Sequence, residues 1–270
     1  MLKALLKLHL QLVTLPSGQP PSEIRENPKL WPFLKGCVGA IDGSHIRICV
    51  PRKMQGPWRN RKGWISQNVL AACDFGMNFQ FIWPGWEGSA HDSKVLLDAV
   101  RRGGFRAPTT KHYYLADAGY SSNSSLTLTP YTGVRYHLKE QVKSNQRPQN
   151  KQELFNLRHA QARNVIERCF GVLKQRFRIL DRPKEGFSIK TQIRLVFALT
   201  ALHNFMNMHG SDPFSEAELI GEEELQRDII RVENFQRGLQ DRDLRIRRDK
   251  IAKRMWRSYK NVLRDREVNP

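Results

Sequence analysis

The chain has 270 residues, of which 40% are hydrophobic, so it can bury a sizeable core and is not a disulfide-stabilised mini-protein. It carries 45 Lys and Arg against 26 Asp and Glu, a formal net charge of +19 at pH 7, which predicts a polyanionic partner and above all nucleic acid. No run approaches the roughly 18 to 20 apolar residues of a membrane-spanning helix, which excludes an integral membrane protein.

The first predicted element is a leucine-rich helix within residues 1–14, which lysines interrupt too often for a signal peptide. A linker rich in Pro and Gly follows at residues 16–21. We therefore expect an N-terminal helix and linker over residues 1–22 and a main domain over residues 23–210.

Three strands that are adjacent in sequence open the main domain. Residues 36–50 alternate apolar and polar side chains, as a half-buried strand does. Residues 66–73 and 78–83 are also strand-like, and the turn residues 74–77 between them predict a hairpin. A fourth, short and buried strand is predicted at residues 113–117.

Helices are predicted between and after these strands. Residues 91–102, 151–180 and 189–208 have helical spacing of their apolar side chains. The order of elements predicts an α/β fold, in which a mixed sheet of three antiparallel strands and then a parallel strand is flanked by helices. Residues 211–270 form a charged, mostly helical tail, which we expect to be solvated or to bind a partner.

Three acidic residues stand where a solvent-facing charge is not expected. Asp42 interrupts an apolar alternation, Asp117 ends a buried strand, and Glu167 lies among apolar residues of the long helix. Burying a lone carboxylate is costly, so three that converge would share a divalent cation. Oxygen ligands suit Mg²⁺ or Mn²⁺, and two such ions about 3.5 to 4 Å apart can hold a phosphodiester for in-line attack. From residue types alone this signal is weak, because any protein of this length has aspartates on strands.

The residues around the three acids resemble the catalytic blocks of PIF/Harbinger transposases. The blocks are GAIDGSHI (39–46), YLADAGY (114–120) and RNVIERCFGVLK (163–174), with 74 and 49 residues between the three acids. The resemblance covers about residues 15–208 and implies an RNase H-like DDE nuclease whose metal ligands are Asp42, Asp117 and Glu167. It further implies a nuclear DNA endonuclease or transposase that cuts and joins phosphodiester bonds with Mg²⁺ or Mn²⁺.

One departure from the family concerns recognition of DNA. These transposases usually carry a helix-turn-helix region before the first Asp, whereas only residues 1–14 precede the linker here. The resemblance therefore implies either a shortened chain or a separate Myb-like DNA-binding partner. The intact acids permit catalysis, but a transposase-derived DNA- or chromatin-associated protein without turnover stays open as the second function. A homo-oligomer is also left open.

Five cations are candidates for contact with DNA. Arg59, Arg61 and Lys62 alternate with aromatic residues, a mixture that suits backbone contact and base stacking but is also found in ordinary loops. Arg163 and Lys174 share a helical face with Glu167, so they face DNA phosphate or form ion pairs with that glutamate.

A fourth acid, Asp92, lies at the start of the helix predicted over residues 91–102. This position predicts an N-cap, with metal ligation as the alternative. His45 and His91 flank the candidate acids and could contact phosphate, although a lone histidine is more often structural.

Overall fold

A computed structural model describes residues 1–120, 126–134, 147–183, 185–210 and 242–268. The described chain contains a sheet of five strands: β1 (Cys37–Arg47), β2 (Ser66–Cys73), β3 (Phe79–Glu87), β4 (Tyr113–Leu115) and β5 (Thr127–Leu128). Their order across the sheet is β3-β2-β1-β4-β5. The first three strands are antiparallel neighbours, and β4 and β5 run parallel to β1. The predicted α/β fold with a mixed sheet is confirmed, and it is consistent with an RNase H-like DDE nuclease.

The described helices lie before, between and after the strands. They are α1 (Leu2–Leu12), α2 (Ser22–Arg25), α3 (Gln55–Trp58), α4 (Asp92–Arg102), α5 (Lys151–Arg176), α6 (Ile189–Met208) and α7 (Arg242–Val268). The two long central helices begin at side-chain caps, because Asn150 accepts from two backbone N–H groups of α5 and Ser188 accepts from one of α6. None of the described helices is long and apolar enough to cross a membrane.

The sheet separates two hydrophobic cores. Ala40 and Ile46 of β1 belong to the larger core, which includes the apolar faces of α5 and α7. Ile41 belongs to the smaller core, together with Val95 and Leu96 of α4. Because side chains of a strand alternate between faces, even-numbered positions of β1 from Ala40 onward face α5 and odd-numbered positions face α4. Before Ala40 the register shifts, so that Cys37 faces the larger core and Val38 the smaller one.

The C-terminal helix differs from the expectation of a solvated or partner-binding element. One face of α7 lies in the larger core, where its side chains Leu244, Ile251, Ala252 and Met255 are at most 6% exposed. The Tyr131 hydroxyl donates to Asp249 Oδ1 at 2.6 Å, and Arg248 Nη1 donates to the Pro130 carbonyl at 3.1 Å. The expectation is therefore wrong for this face, because an apolar stripe of the helix packs against α5 and β5. Residues 211–241 of the predicted tail lie outside the described residues, so the boundary at residue 210 stays a prediction.

The four cysteines are free, and Cys37, Cys73 and Cys169 are buried. Burial raises the pKa of the Cys37 thiol to about 12, so this thiol packs as a small apolar side chain at neutral pH.

Candidate catalytic site

Asp42 lies on β1, and Asp117 lies just beyond the end of the neighbouring strand β4. The parallel pairing of β1 with β4 places Ala40 opposite Leu115, and each aspartate follows two residues later in its own segment. Ala40 and Leu115 both belong to the core that contains α5. By the alternation of side chains, the two aspartates continue on that face of the sheet. Both aspartates thus lie at the end of the sheet where β4 stops. The strand predicted over residues 113–117 ends at Leu115, so Asp117 belongs to the segment that follows it.

Glu167 of α5 is connected to Asp42 by an arginine that forms an ion pair with each of them. Arg163 lies one helical turn before it and makes two ion pairs, Nη1 with Asp42 Oδ2 at 3.1 Å and Nη2 with Glu167 Oε1 at 2.5 Å. The side chain of Arg163 is 8% exposed, while those of Asp42 and Glu167 are 20% and 28% exposed. One guanidinium therefore connects the central strand with the helix that covers it.

The local charge is predominantly negative. Burial raises the pKa of Asp42 well above its usual value, and the nearby carboxylates of Asp117, Glu167 and Asp92 raise it further. The positive charge of Arg163 opposes this rise of the pKa. Three other acids thus act electrostatically on Asp42, and a positive charge near it is stabilising.

Backbone N–H groups orient both aspartates. Gly43 N donates to Asp42 Oδ1 at 2.8 Å, and Gly119 N donates to Asp117 Oδ1 at 2.8 Å. A side chain at residue 119 would bring its Cβ to 3.1 Å from Asp117 Oδ1, so a glycine there leaves room for the carboxylate. Each acid is therefore held by the segment that directly follows it.

Asp92 approaches the same strand from the opposite face of the sheet. Its Oδ1 accepts a hydrogen bond from Asn68 Nδ2 at 2.7 Å and lies 2.6 Å from the Cβ that any other residue would place at Gly43. The N-cap residue of α4 is His91, and its side chain makes no capping bond. The predicted N-cap role of Asp92 is wrong, because Asn68 of the adjacent strand holds the carboxylate instead.

The three acids have ligand chemistry that suits a divalent cation, but the described residues do not gather them into one metal site. Asp42, Asp117 and Glu167 supply the hard oxygen ligands that Mg²⁺ and Mn²⁺ prefer, and Arg163 already places a positive charge between two of them. Among the residues that the structure describes, no three Asp, Glu, His or Cys side chains are close enough together to hold a metal ion. An ion on Asp42 and Glu167 would compete with the guanidinium for the same oxygens.

Three of the five candidate DNA contacts lie in one exposed loop. Arg59, Arg61 and Lys62 are exposed, and Asn60 Oδ1 shapes their loop by accepting from the backbone N–H groups of Lys62 and Trp64. Arg61 Nη2 lies 3.3 Å from His91 Nδ1, which connects the loop to the start of α4. These cations are therefore presented to solvent beside the acidic region.

The other two candidate contacts are buried. Arg163 and Lys174 are 7% and 8% exposed, and Arg163 forms the ion pairs described above. This burial favours the ion-pair alternative for Arg163. Their contact with DNA stays a prediction.

Two features near the site were not predicted. The guanidinium of Arg47 lies 4.8 Å above the ring of Trp64, and adds a cation to the exposed loop. The Tyr120 hydroxyl is buried and has no hydrogen-bond partner among the described residues. Burial and then the nearby charges of Asp92, Asp42 and Asp117 raise its pKa. Tyr120 belongs to the YLADAGY block, which was the available signal for its place near the acids.

Comparison with known proteins agrees with this geometry. The "Putative nuclease HARBI1" proteins of Bos taurus and Homo sapiens are each 28% identical over 184 residues, which cover 67% of this chain and 49% of theirs. "Protein ALP1-like" of Arabidopsis thaliana is 28% identical over 205 residues, which cover 69% of this chain and 47% of that protein. The chain therefore spans about half the length of the curated relatives it matches. No solved structure matches it significantly.

A family comparison covers the whole candidate site. Residues 41–204 match the family described as "DDE superfamily endonuclease". The matched region includes both aspartates, Glu167, the strand β4, the helix α5 and most of β1. It spans more than half of the chain, and the nuclease names of the relatives agree with the resemblance to PIF/Harbinger transposases. The chain belongs to the DDE superfamily endonucleases.

Proposed function

We propose that this chain is a divalent-metal-dependent DNA endonuclease or transposase, in which Asp42, Asp117 and Glu167 bind Mg²⁺ or Mn²⁺. The observation that carries the proposal is the placement of Asp42 and Glu167 around a single positive charge, with Asp117 just beyond the end of the neighbouring strand β4. Membership of an endonuclease family supports the same reaction class.

Each part of the site has a distinct task in this reaction. Bound divalent ions would activate the attacking water or 3′-hydroxyl and stabilise the leaving oxygen. The backbone N–H groups of Gly43 and Gly119 orient the two aspartates, so that fewer carboxylate rotamers must be frozen when substrate binds. The exposed side chains of Arg59, Arg61 and Lys62 supply positive charge for the DNA backbone.

A second function is favoured by one observation. Arg163 pairs with two of the three acids, as expected if the chain binds DNA without turnover and keeps its former ligands as structural carboxylates. In that case the protein is a transposase-derived DNA- or chromatin-associated factor. Both functions include a nuclear location, and both are compatible with a separate Myb-like partner that recognises the DNA sequence.

A cleavage assay separates the two functions. Supercoiled plasmid is incubated with Mg²⁺ or Mn²⁺ and with wild type, Asp42→Asn, Asp117→Asn or Glu167→Gln. We expect each substitution to reduce the cleavage rate by more than the roughly 10- to 100-fold that loss of an outer-shell contact causes. Glu26→Gln removes an exposed carboxylate and serves as the matched control, with an unchanged rate.

Two results would count against catalysis. If wild type does not cleave DNA with either metal, alone or with a DNA-binding partner, the non-catalytic function is correct. If the three variants cleave at the wild-type rate, the nuclease activity does not reside in these acids. Thermal melting of each variant checks that a lost activity is not lost folding.

A further inference from the structure

The exposed face of α7 carries a row of cations. Between residues 250 and 264 the sequence contains six Lys or Arg and no Asp or Glu. All six are exposed, and we call them the α7 stripe: Lys250, Lys253, Arg254, Arg257, Lys260 and Arg264.

Helical geometry puts the α7 stripe on one side of the helix. At 3.6 residues per turn, its six residues fall within an arc of about 120°. The buried residues Leu244, Ile251 and Met255 fall on the opposite side, against the core. At a rise of 1.5 Å per residue the stripe is about 21 Å long. The helix therefore has an apolar anchoring face and a continuous cationic face.

The anchoring face also holds the stripe in place. Apolar burial, the Tyr131–Asp249 hydrogen bond and the bonds from Arg248 to the backbone near Pro130 all lie outside the stripe. Within the described residues, no stripe cation forms an ion pair with an acid. Among the residues that the structure describes, the charges of the stripe therefore neutralise no acidic group.

We infer that the α7 stripe is a docking surface for the phosphate backbone of duplex DNA. Charge complementarity favours this occupant, because DNA carries one negative charge per about 1.7 Å of helix axis. A row of cations about 21 Å long therefore lies beside more phosphates than its six side chains can contact. The occupant rests on the proposed function, in which DNA is the substrate. The stripe shares no residue with the acidic site or with the Arg59–Lys62 loop, and phosphate contacts of this kind bind without reading sequence.

The test measures the salt dependence of DNA binding. A labelled DNA duplex is titrated in EDTA, where cleavage cannot occur, between about 50 and 200 mM salt. One variant replaces all six stripe residues with Gln, which keeps helix propensity and removes six charges. The control removes the same number of exposed charges outside α7 by replacing Lys3, Lys7, Lys29, Lys35, Lys190 and Arg194 with Gln.

We expect the stripe variant to bind at least about tenfold more weakly at low salt, with a shallower slope of log K against log [salt]. Each lost phosphate contact lowers the slope by about 0.9, so the full stripe contributes up to about 5. The control should keep most of the wild-type slope. Should the sixfold variant not fold, a variant with Lys253→Gln, Arg257→Gln and Lys260→Gln should lose about half as much.

Several results would overturn the inference. Equal losses in the stripe variant and the control would show that only total charge matters. An unchanged slope in the stripe variant, or tighter binding to anionic lipid vesicles than to DNA, would remove DNA as the occupant. Failure of the proposed nuclease is distinguishable, because wild type would then bind DNA through the stripe without cleaving it in Mg²⁺ or Mn²⁺.

Discussion

Replacing Arg163 with Met keeps most of the length of the side chain but removes its positive charge. That charge pairs with both Asp42 and Glu167. Deleting one partner of a fully buried ion pair costs about 3 to 5 kcal/mol, and deleting one partner of an exposed pair costs about 1 kcal/mol or less. Arg163 is 8% exposed, but its two partners are 20% and 28% exposed, so water screens part of the interaction. We therefore expect a loss of about 2 to 4 kcal/mol in the free energy of unfolding at pH 7.

The chain offers a matched control for this substitution. Arg102 pairs with Asp98 four residues earlier, the same spacing as Arg163 and Glu167, but its side chain is 75% exposed. Arg102→Met should cost about 1 kcal/mol or less. Arg163→Lys should restore part of the lost stability, because Lys keeps the charge but cannot reach both carboxylates with two separate nitrogens. The measurement is urea unfolding in EDTA, monitored by tryptophan fluorescence.

The pH dependence tests the physical cause of this loss. A carboxyl whose pKa is higher in the folded than in the unfolded chain binds more protons when folded, so stability falls as pH rises between the two values. The pKa of Asp42 in the folded chain is raised above 3.8, and Arg163 opposes that rise. Replacing Arg163 therefore raises this pKa further and widens the pH range over which stability falls. The stability difference between wild type and Arg163→Met should be largest at neutral pH and shrink as pH falls towards 3.8. A difference that is independent of pH, or no larger than that of Arg102→Met, would refute the reasoning.

Two further substitutions test the packing on either side of the sheet. Gly43→Ala would place a methyl group 2.6 Å from Asp92 Oδ1 and should lower the free energy of unfolding in urea by about 1 to 3 kcal/mol. Gly56→Ala is its control, because the added methyl group meets no atom within 4 Å and should not destabilise the chain. Met255→Ala deletes a side chain of α7 that is 0% exposed and should cost about 2 to 5 kcal/mol, if the helix is part of the core as described. Val262→Ala on the same helix is 45% exposed and should cost about 0.5 kcal/mol or less, so equal losses at the two positions would contradict the packing of α7.

Elements with a long hydrophobic pattern were predicted with accurate bounds. β2 and α6 begin and end at the predicted residues, because buried runs bounded by polar or turn residues are visible in the sequence. β5 was missed, since its two residues are too few to show an alternation. The predicted helix over residues 151–180 ends at Arg176 as α5 and is followed by a short 3-10 turn over Arg178–Leu180.

The candidate site was predicted only in part. The alternation of β1 indicated that Asp42 is unusual, but residue types alone did not connect it with Asp117 and Glu167, and the family resemblance made that connection. For two of the acids, Asp42 and Asp92, the side chain that binds the carboxylate could not be predicted. Arg163 reaches Asp42 across 121 positions, and Asn68 holds Asp92 across 24, so both contacts depend on tertiary proximity that no local pattern encodes.

The internal arginine also bears on how such a site is assembled. In structural zinc sites the free energy of metal binding is free energy of folding, and chelators unfold the protein. Here Arg163 supplies a positive charge from within the chain, so the strand and the helix that carry Asp42 and Glu167 can come together before any ion arrives. Maturation would then proceed in two separable stages, first a metal-free folded chain and later the loading of ions. Such a protein could be stored folded and inactive where divalent cations are scarce.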